Sequence, residues 1–173
     1  MVYEFDSAVG DSYYLPSGRI HGLGAGNLIL SVEDEKGTAI KLDEDSYLDT
    51  ENSIYTEDHE IIKLCVNSKN RSTPRNRSES SIVSRNRKLA LVNNSPFVEL
   101  EELRLVTMLH DRTNRNAFHF LIAIDGAINI KTAKGDLELQ PGDNAFIPAA
   151  IGAYSVTPIG DVARVIRVIP KRL

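Results

Sequence analysis

The sequence contains a single cysteine, Cys65, and therefore cannot form an internal disulfide, which fits a reducing compartment. It has no run of about 18 apolar residues, so we expect no membrane-spanning helix. The N-terminal segment is acidic and lacks the apolar stretch of a secretory signal. These absences predict a cytoplasmic protein without a membrane partner. Cys65 lies in the apolar run of residues 61–66, so we expect it in the core rather than acting as a nucleophile.

Charge divides the 173-residue chain into three blocks. Residues 1–66 carry 14 acidic and 4 basic residues, residues 67–88 carry 1 acidic and 7 basic residues, and residues 89–173 carry 9 of each. The middle block is rich in Ser, Asn and Arg and poor in apolar residues, which predicts a flexible basic linker. A nucleic-acid-binding patch is the alternative, but no aromatic residues are interleaved to stack on bases, so we expect no nucleic-acid partner.

Both outer blocks have the pattern of β-proteins. Residues 89–173 contain many short apolar segments with turn signals every eight to twelve residues, which indicates a sandwich or a barrel. In the first block we expect short strands at residues 2–5, 27–32, 38–42 and 61–66. The acidic residues 43–60 predict a surface excursion, with one helical turn near residues 56–58.

The most specific pattern is the segment from Gly10 to Asn27, which predicts a strand, a tight turn and a second strand. Its turn contains Pro16 and Gly18, and His21 follows three residues after that glycine. The Gly-Asp…Pro phrase of residues 10–18 recurs at the same spacing in residues 142–150. In the second copy, alanine replaces the histidine. The repeat predicts two related β units, one with a histidine and one without.

The spacing of Gly10, Pro16, Gly18 and His21 resembles the second sequence motif of the cupin β-barrels, whose histidine faces inward and binds a metal. Together with the second copy, the chain resembles the type I phosphomannose isomerases of the short bacterial branch over residues 1–45 and 89–169. The resemblance implies an all-β cupin double-stranded β-helix, or jelly roll. Residues 89–173 would form a complete, metal-free C-terminal cupin, and residues 1–66 would form part of a first cupin.

The resembled family interconverts mannose 6-phosphate and fructose 6-phosphate with a divalent metal, usually zinc. The resemblance makes His21 the last metal ligand, and counting from Gly26 places Lys41 at the position of an arginine that acts on the substrate. Arg19, two residues before the histidine, would meet the sugar phosphate at the mouth of the pocket, although an exposed edge arginine is an equal alternative. We expect His59 and His110 at the surface, and His119 to be a structural or surface histidine.

Two functions remain open. The first is a divergent or incomplete mannose-6-phosphate isomerase. The second is a non-catalytic cupin that acts as a sugar-phosphate binder or as a structural or regulatory dimer module. The family's other metal ligands lie in strands before the matched region, whereas catalytic zinc needs about three protein ligands, so the chemistry favours the second. An incomplete first barrel would expose sheet edges, which predicts dimerisation or another way of covering them.

Overall fold

The computed structural model describes residues 4–33, 39–42, 53–67, 75–76, 79–92 and 95–171. The chain divides into two compact units. One comprises Met1–Asp11 with Leu15–Pro74, and the other comprises Ser12–Tyr14 with Arg75–Leu173. The described part of the chain contains no helix that is long and apolar enough to cross a membrane.

The first unit has three short elements. Strands β1 (Ala39–Lys41) and β2 (Ser53–Tyr55) pair in parallel, and helix α1 spans His59–Cys65. The strand expected at residues 38–42 is confirmed for its described part. The strand expected at residues 61–66 is wrong, because this segment continues α1. Asp58 caps the helix by accepting a hydrogen bond from the Glu60 backbone N–H at 2.8 Å, and Cys65 is exposed rather than in the core.

The segment from residue 10 to residue 27 forms turns but no named strand. The predicted Pro–Gly turn is confirmed, since the Arg19 N–H donates to the Pro16 carbonyl at 3.2 Å. Gly18 has a φ of +81°, and a Cβ there would lie 2.7 Å from the Cys65 carbonyl oxygen. The flanking strands, and the strand expected at residues 27–32, are wrong. A strand needs a ladder partner for its backbone groups, and residues 27–32 have none among the described residues.

The second unit is an antiparallel sheet of eight strands. The strands run in the order β3-β4-β5-β10-β7-β8, while β6 also pairs with β10 and β9 also pairs with β7. Their bounds are β3 Glu79–Val83, β4 Asn86–Val92, β5 Val98–Leu105, β6 Leu109–Arg112, β7 His119–Thr132, β8 Gly135–Leu139, β9 Asn144–Ile147 and β10 Ala153–Pro170. The all-β fold class is confirmed, and this arrangement is that of a cupin jelly roll. Residues 79–83 and 86–88 are in strands, so the prediction of a flexible linker is wrong for them.

The two longest strands, β7 and β10, bend together and contribute to both halves of the jelly roll. The first half of β10 pairs with β6 and with the end of β7, whereas its second half pairs with β5 and with the start of β7. The register shifts between Ile159 and Arg164. Gly126 lies opposite this irregularity with a φ of +67°, and a Cβ there would lie 2.4 Å from the Val162 carbonyl oxygen. Glycine is therefore required where the strands bend.

Alternate residues of these strands enclose the core. The largest fully buried side chains include Leu105, Leu121, Ile128, Ile130 and Val165. A smaller apolar cluster around Leu91, Ile166 and Val168 forms on the opposite face of the β4-β5-β10 region. Along β5, β7 and β10 the inward-facing side chains change from apolar to polar, and the polar side chains form the candidate site.

Candidate functional site in the barrel interior

The polar site is built on two ion-paired residues that face each other across adjacent strands. Glu101 of β5 and Arg167 of β10 are register partners, and they are only 1% and 6% exposed. Each lies two residues from an apolar core residue of its own strand, Leu103 and Val165, and side chains two apart share a face. The ion pair is therefore inside the same layer as the core.

Arg167 joins two carboxylates that lie on different strands. Its Nε donates to Glu101 Oε2 at 2.9 Å, its Nη2 contacts the same oxygen, and its Nη1 contacts Asp111 Oδ2 on β6. Lys88 of β4 forms an ion pair with the other oxygen of Glu101. Two cations thus compensate the two carboxylates, which buried charges require.

Tyr154 and His119 extend this network. The Tyr154 hydroxyl donates to Asp111 Oδ2 at 2.9 Å and lies 2.6 Å from His119 Nδ1, and the two rings meet edge to face. Because the hydroxyl proton points to Asp111, the hydroxyl lone pair is left to accept from His119, which assigns the proton of the neutral imidazole to Nδ1. His119 is 5% exposed and is thus a buried structural histidine.

The electrostatics hold each group in one protonation state near neutral pH. Burial would raise the pKa of Glu101, but Arg167 and Lys88 together hold that pKa below its ordinary value, so the carboxylate stays charged. Burial lowers the pKa of His119 despite the nearby Glu101 and Glu99, so the ring stays neutral. Burial and Glu101 both raise the pKa of Tyr154, so its hydroxyl keeps its proton.

A cavity of about 190 Å³ adjoins this network. Its lining combines apolar residues of β3, β5 and β6 with six polar residues: Asn86, Arg87, Lys88, His110, Asp111 and Arg167. Asn86 is 2% exposed, and its Oδ1 accepts from the Val106 and Thr107 backbone N–H groups at 2.9 and 3.0 Å. Its Nδ2 has no hydrogen-bond partner within the described part of the chain. A buried amide without an acceptor is costly, and Asn86 is a residue of the cavity wall, so its amide is a candidate donor to a ligand.

The interior cluster does not fit a divalent metal. Catalytic zinc needs about three protein ligands, whereas the cluster has one histidine, and both of its carboxylates are already bound to Arg167. The guanidinium provides the positive charge that a metal would bring. Across the ranges that the structure describes, no group of three or more His, Cys, Asp or Glu side chains could hold a metal ion.

The residues predicted from the resemblance lie elsewhere, in the first unit. His21 is exposed rather than directed into a barrel, and its Nδ1 lies 3.0 Å from the Arg19 carbonyl oxygen. Arg19 is half-buried in the loop before it. Lys41 ends β1, where its carbonyl accepts from the Thr56 N–H at 3.1 Å. The metal-binding role of His21, the catalytic role of Lys41 and the substrate-binding role of Arg19 stay predictions.

Sequence reasoning missed Glu101, Asp111, Tyr154 and Arg167. One signal was available, because Arg164 and Arg167 are three residues apart in an apolar strand and must point to opposite faces. One of the two therefore had to face the interior and needed a buried carboxylate. His59 and His110 are exposed, as expected, but His110 also lines the cavity.

Fold and site together define a cupin-type β-barrel with an ion-paired polar interior. Residues 101–168, less than half of the chain, match the family model described as "Mannose-6-phosphate isomerase, cupin domain". The match covers Glu101, Asp111, His119, Tyr154 and Arg167. No sequence of a curated protein matches the chain.

Several solved structures share the fold at low sequence identity. KdgF from Halomonas sp. is 11% identical, with 57% of this chain and 90% of that chain covered and a TM-score of 0.47. The polyketide cyclase RemF from Streptomyces resistomycificus is 18% identical, with 55% and 75% covered and a TM-score of 0.46. A cupin described as a sugar phosphate isomerase from Silicibacter pomeroyi is 19% identical, with 50% and 60% covered and a TM-score of 0.41.

Proposed function

We propose that this chain is a non-catalytic cupin related to mannose-6-phosphate isomerases, and that its C-terminal barrel binds a small sugar phosphate without isomerising it. The observation that carries the proposal is the cavity beside Arg167, whose wall includes Asn86 with its buried and unpaired amide nitrogen. The family-model match over residues 101–168 supports the choice of a sugar phosphate.

The residues around the cavity suit a hydroxylated anion. Arg87 and Lys88 bring positive charge to the cavity wall, and Asn86 is an uncharged residue whose amide nitrogen is unpaired among the described residues. Asp111 and the exposed His110 add groups that can bond to hydroxyls. The volume is below the roughly 300 Å³ at which ligand pockets usually begin. It therefore suits a single small polar molecule.

Isomerisation needs a group that can take up and return a proton near neutral pH. Glu101 is held as a carboxylate by Arg167 and Lys88, and the raised pKa of Tyr154 keeps its hydroxyl protonated. His119 is neutral, and burial lowers its pKa, so its ring is a weaker base than an exposed imidazole. These states favour binding over proton transfer.

The test is a calorimetric titration of the full chain with mannose 6-phosphate. Asn86→Asp keeps the oxygen that holds the Val106 and Thr107 N–H groups but replaces the unused donor with a charged oxygen. We expect it to weaken binding at least tenfold, whereas Asn116→Asp, the same change on an exposed loop, should leave binding within twofold. Equal affinities of the Asn86 variant and the parent chain would refute this site.

The second candidate is mannose-6-phosphate isomerase activity itself, favoured by the family-model match. In this case His21 would be a ligand of zinc or another divalent metal, Lys41 would act on the substrate, and Arg19 would bind the phosphate. Stoichiometric metal in the purified chain, lost in His21→Ala together with conversion to fructose 6-phosphate, would support this candidate. Absence of both would leave the non-catalytic function.

We also propose that the protein is cytoplasmic and forms a homodimer. Large apolar side chains of the first unit are exposed, among them Val9, Leu28 and Leu64 at 95%, 103% and 87%. Covering such surface favours self-association. Sedimentation velocity of the full chain at micromolar concentration should give the mass of two chains, and a single monomeric species would contradict the proposal.

A further inference from the structure

Three arginines form a row across three adjacent strands of the second unit. Arg87 of β4 is the register partner of Arg104 of β5, and Arg104 is in turn the register partner of Arg164 of β10. Neighbouring strands are about 4.8 Å apart, so directly opposite residues bring their side chains together. Like charges at such positions repel each other.

The row is only partly neutralised. Glu102 accepts from Arg164 Nε at 2.8 Å and from its Nη2 at 3.2 Å, and this pairing helps to raise the pKa of Arg164. Asp125, the register partner of Arg164 on β7, adds a second carboxylate at that end of the row. Arg87 and Arg104 form no ion pair with any described residue. The uncompensated charge is therefore concentrated on the β4 and β5 side.

A cavity of about 380 Å³ lies over this row. Its lining consists of Arg87, Arg104 and Arg164 with Glu102 and Leu89, so it carries two more positive than negative charges. All five residues share the sheet face opposite to Glu101 and Arg167. Arg87 also lines the interior cavity, whereas the other four residues line this one and not the interior one, so binding here does not depend on the proposed function.

We propose that this arginine row is a second binding site, specific for the phosphate group of a small phosphomonoester. A phosphate dianion would supply the negative charge that Arg87 and Arg104 do not find among the described residues. Its oxygens match the planar fork of a guanidinium. Glu102 fixes Arg164 through Nε and Nη2, which leaves Nη1 to donate to the same anion. Leu89 gives the site an apolar side against which the organic part of the ligand can pack.

The test is titration with inorganic phosphate, with mannose 6-phosphate and with unphosphorylated mannose, followed by calorimetry at low and at physiological salt. We expect both phosphates to bind and mannose not to bind at this site. Arg104→Gln, at a residue that lines this cavity and not the interior one, should weaken phosphate binding at least tenfold. Lys131→Gln removes one charge from an exposed position elsewhere on the sheet and should change phosphate binding less than twofold.

One further variant and a comparison of the two phosphate ligands separate the possible outcomes. Asn86→Asp, which tests the interior cavity, should leave inorganic phosphate binding at the row within twofold, so either site can fail without the other. The affinity that Arg104→Gln removes can be compared between the two phosphates. A higher affinity for mannose 6-phosphate than for inorganic phosphate would identify an organic phosphomonoester as the ligand. Equal affinities would identify inorganic phosphate as the ligand. Unchanged phosphate affinity in Arg104→Gln, or no phosphate binding by the parent chain, would overturn the proposal.

Discussion

Replacing Arg167 with methionine should reveal what the interior ion-pair network contributes to stability. The substitution keeps an unbranched side chain of similar length but removes the guanidinium that bonds Glu101 and Asp111. Glu101 is 1% exposed and cannot recover hydration. Breaking a buried ion pair by removing one partner typically costs about 3–5 kcal/mol.

The structure places the expected loss at the lower end of that range. Lys88 remains paired with Glu101, and the Asp111 side chain is 19% exposed and can gain water. We therefore expect Arg167→Met to lower the free energy of unfolding by about 3 kcal/mol at pH 7. Urea unfolding of the full chain, followed by far-ultraviolet circular dichroism, measures the change, with Lys131→Met as the control at an exposed position.

A second substitution keeps the prediction testable even when Arg167→Met is poorly folded. Adding Glu101→Gln removes the uncompensated charge, so the double variant should be more stable than Arg167→Met by about 1–2 kcal/mol. The loss caused by Arg167→Met should also shrink below pH 5, since Glu101 without its arginine takes up a proton more easily. A single-variant loss under about 1 kcal/mol, or a double variant no more stable than the single one, would refute this reasoning.

Three further predictions concern the same barrel. Gly126→Ala should lower the free energy of unfolding, measured with urea, by about 2 kcal/mol or more, since its Cβ would meet the Val162 carbonyl oxygen. Gly135→Ala should lower it less, because a Cβ at that position has open space. Because the pKa of His119 is lowered in the folded chain, the unfolded chain binds more protons than the folded chain below about pH 6.5. The melting temperature should therefore fall from pH 7.5 to pH 5.5, and His119→Gln should make this fall smaller. Tyr154→Phe should cost about 1–2 kcal/mol by leaving Asp111 and His119 without the hydroxyl, and a loss near zero would contradict the network.

The sequence predicted the second unit well because its strands are specified locally. Apolar alternation and turn residues such as Pro141–Gly142 depend only on neighbours in the chain, and they predict the many short strands that residues 89–173 contain. The first unit was predicted poorly. The apolar run of residues 61–66 is compatible with a strand or a helix, and Asp58 favours the helix by capping its N-terminus.

The candidate site was not predicted because it depends on pairing between distant strands. Glu101 and Arg167 are 66 residues apart, and Asp111 and Tyr154 are 43 apart, so no local motif joins them. Only the register of β5, β6 and β10 brings these side chains to one face. The Gly10–His21 motif lies outside the family-model match of residues 101–168, and His21 is exposed in the first unit.

The central claim is that the C-terminal barrel binds a sugar phosphate without metal and without reaction. Saturation-transfer proton NMR of mannose 6-phosphate with the full chain, in the presence of a chelator, reports binding and conversion in one experiment. We predict transfer to the sugar resonances in Arg104→Gln, a variant that weakens the arginine row, and a strong reduction when Asn86→Asp is added, with no resonances of fructose 6-phosphate appearing. Transfer that requires an added divalent metal, or accumulation of fructose 6-phosphate, would contradict the account.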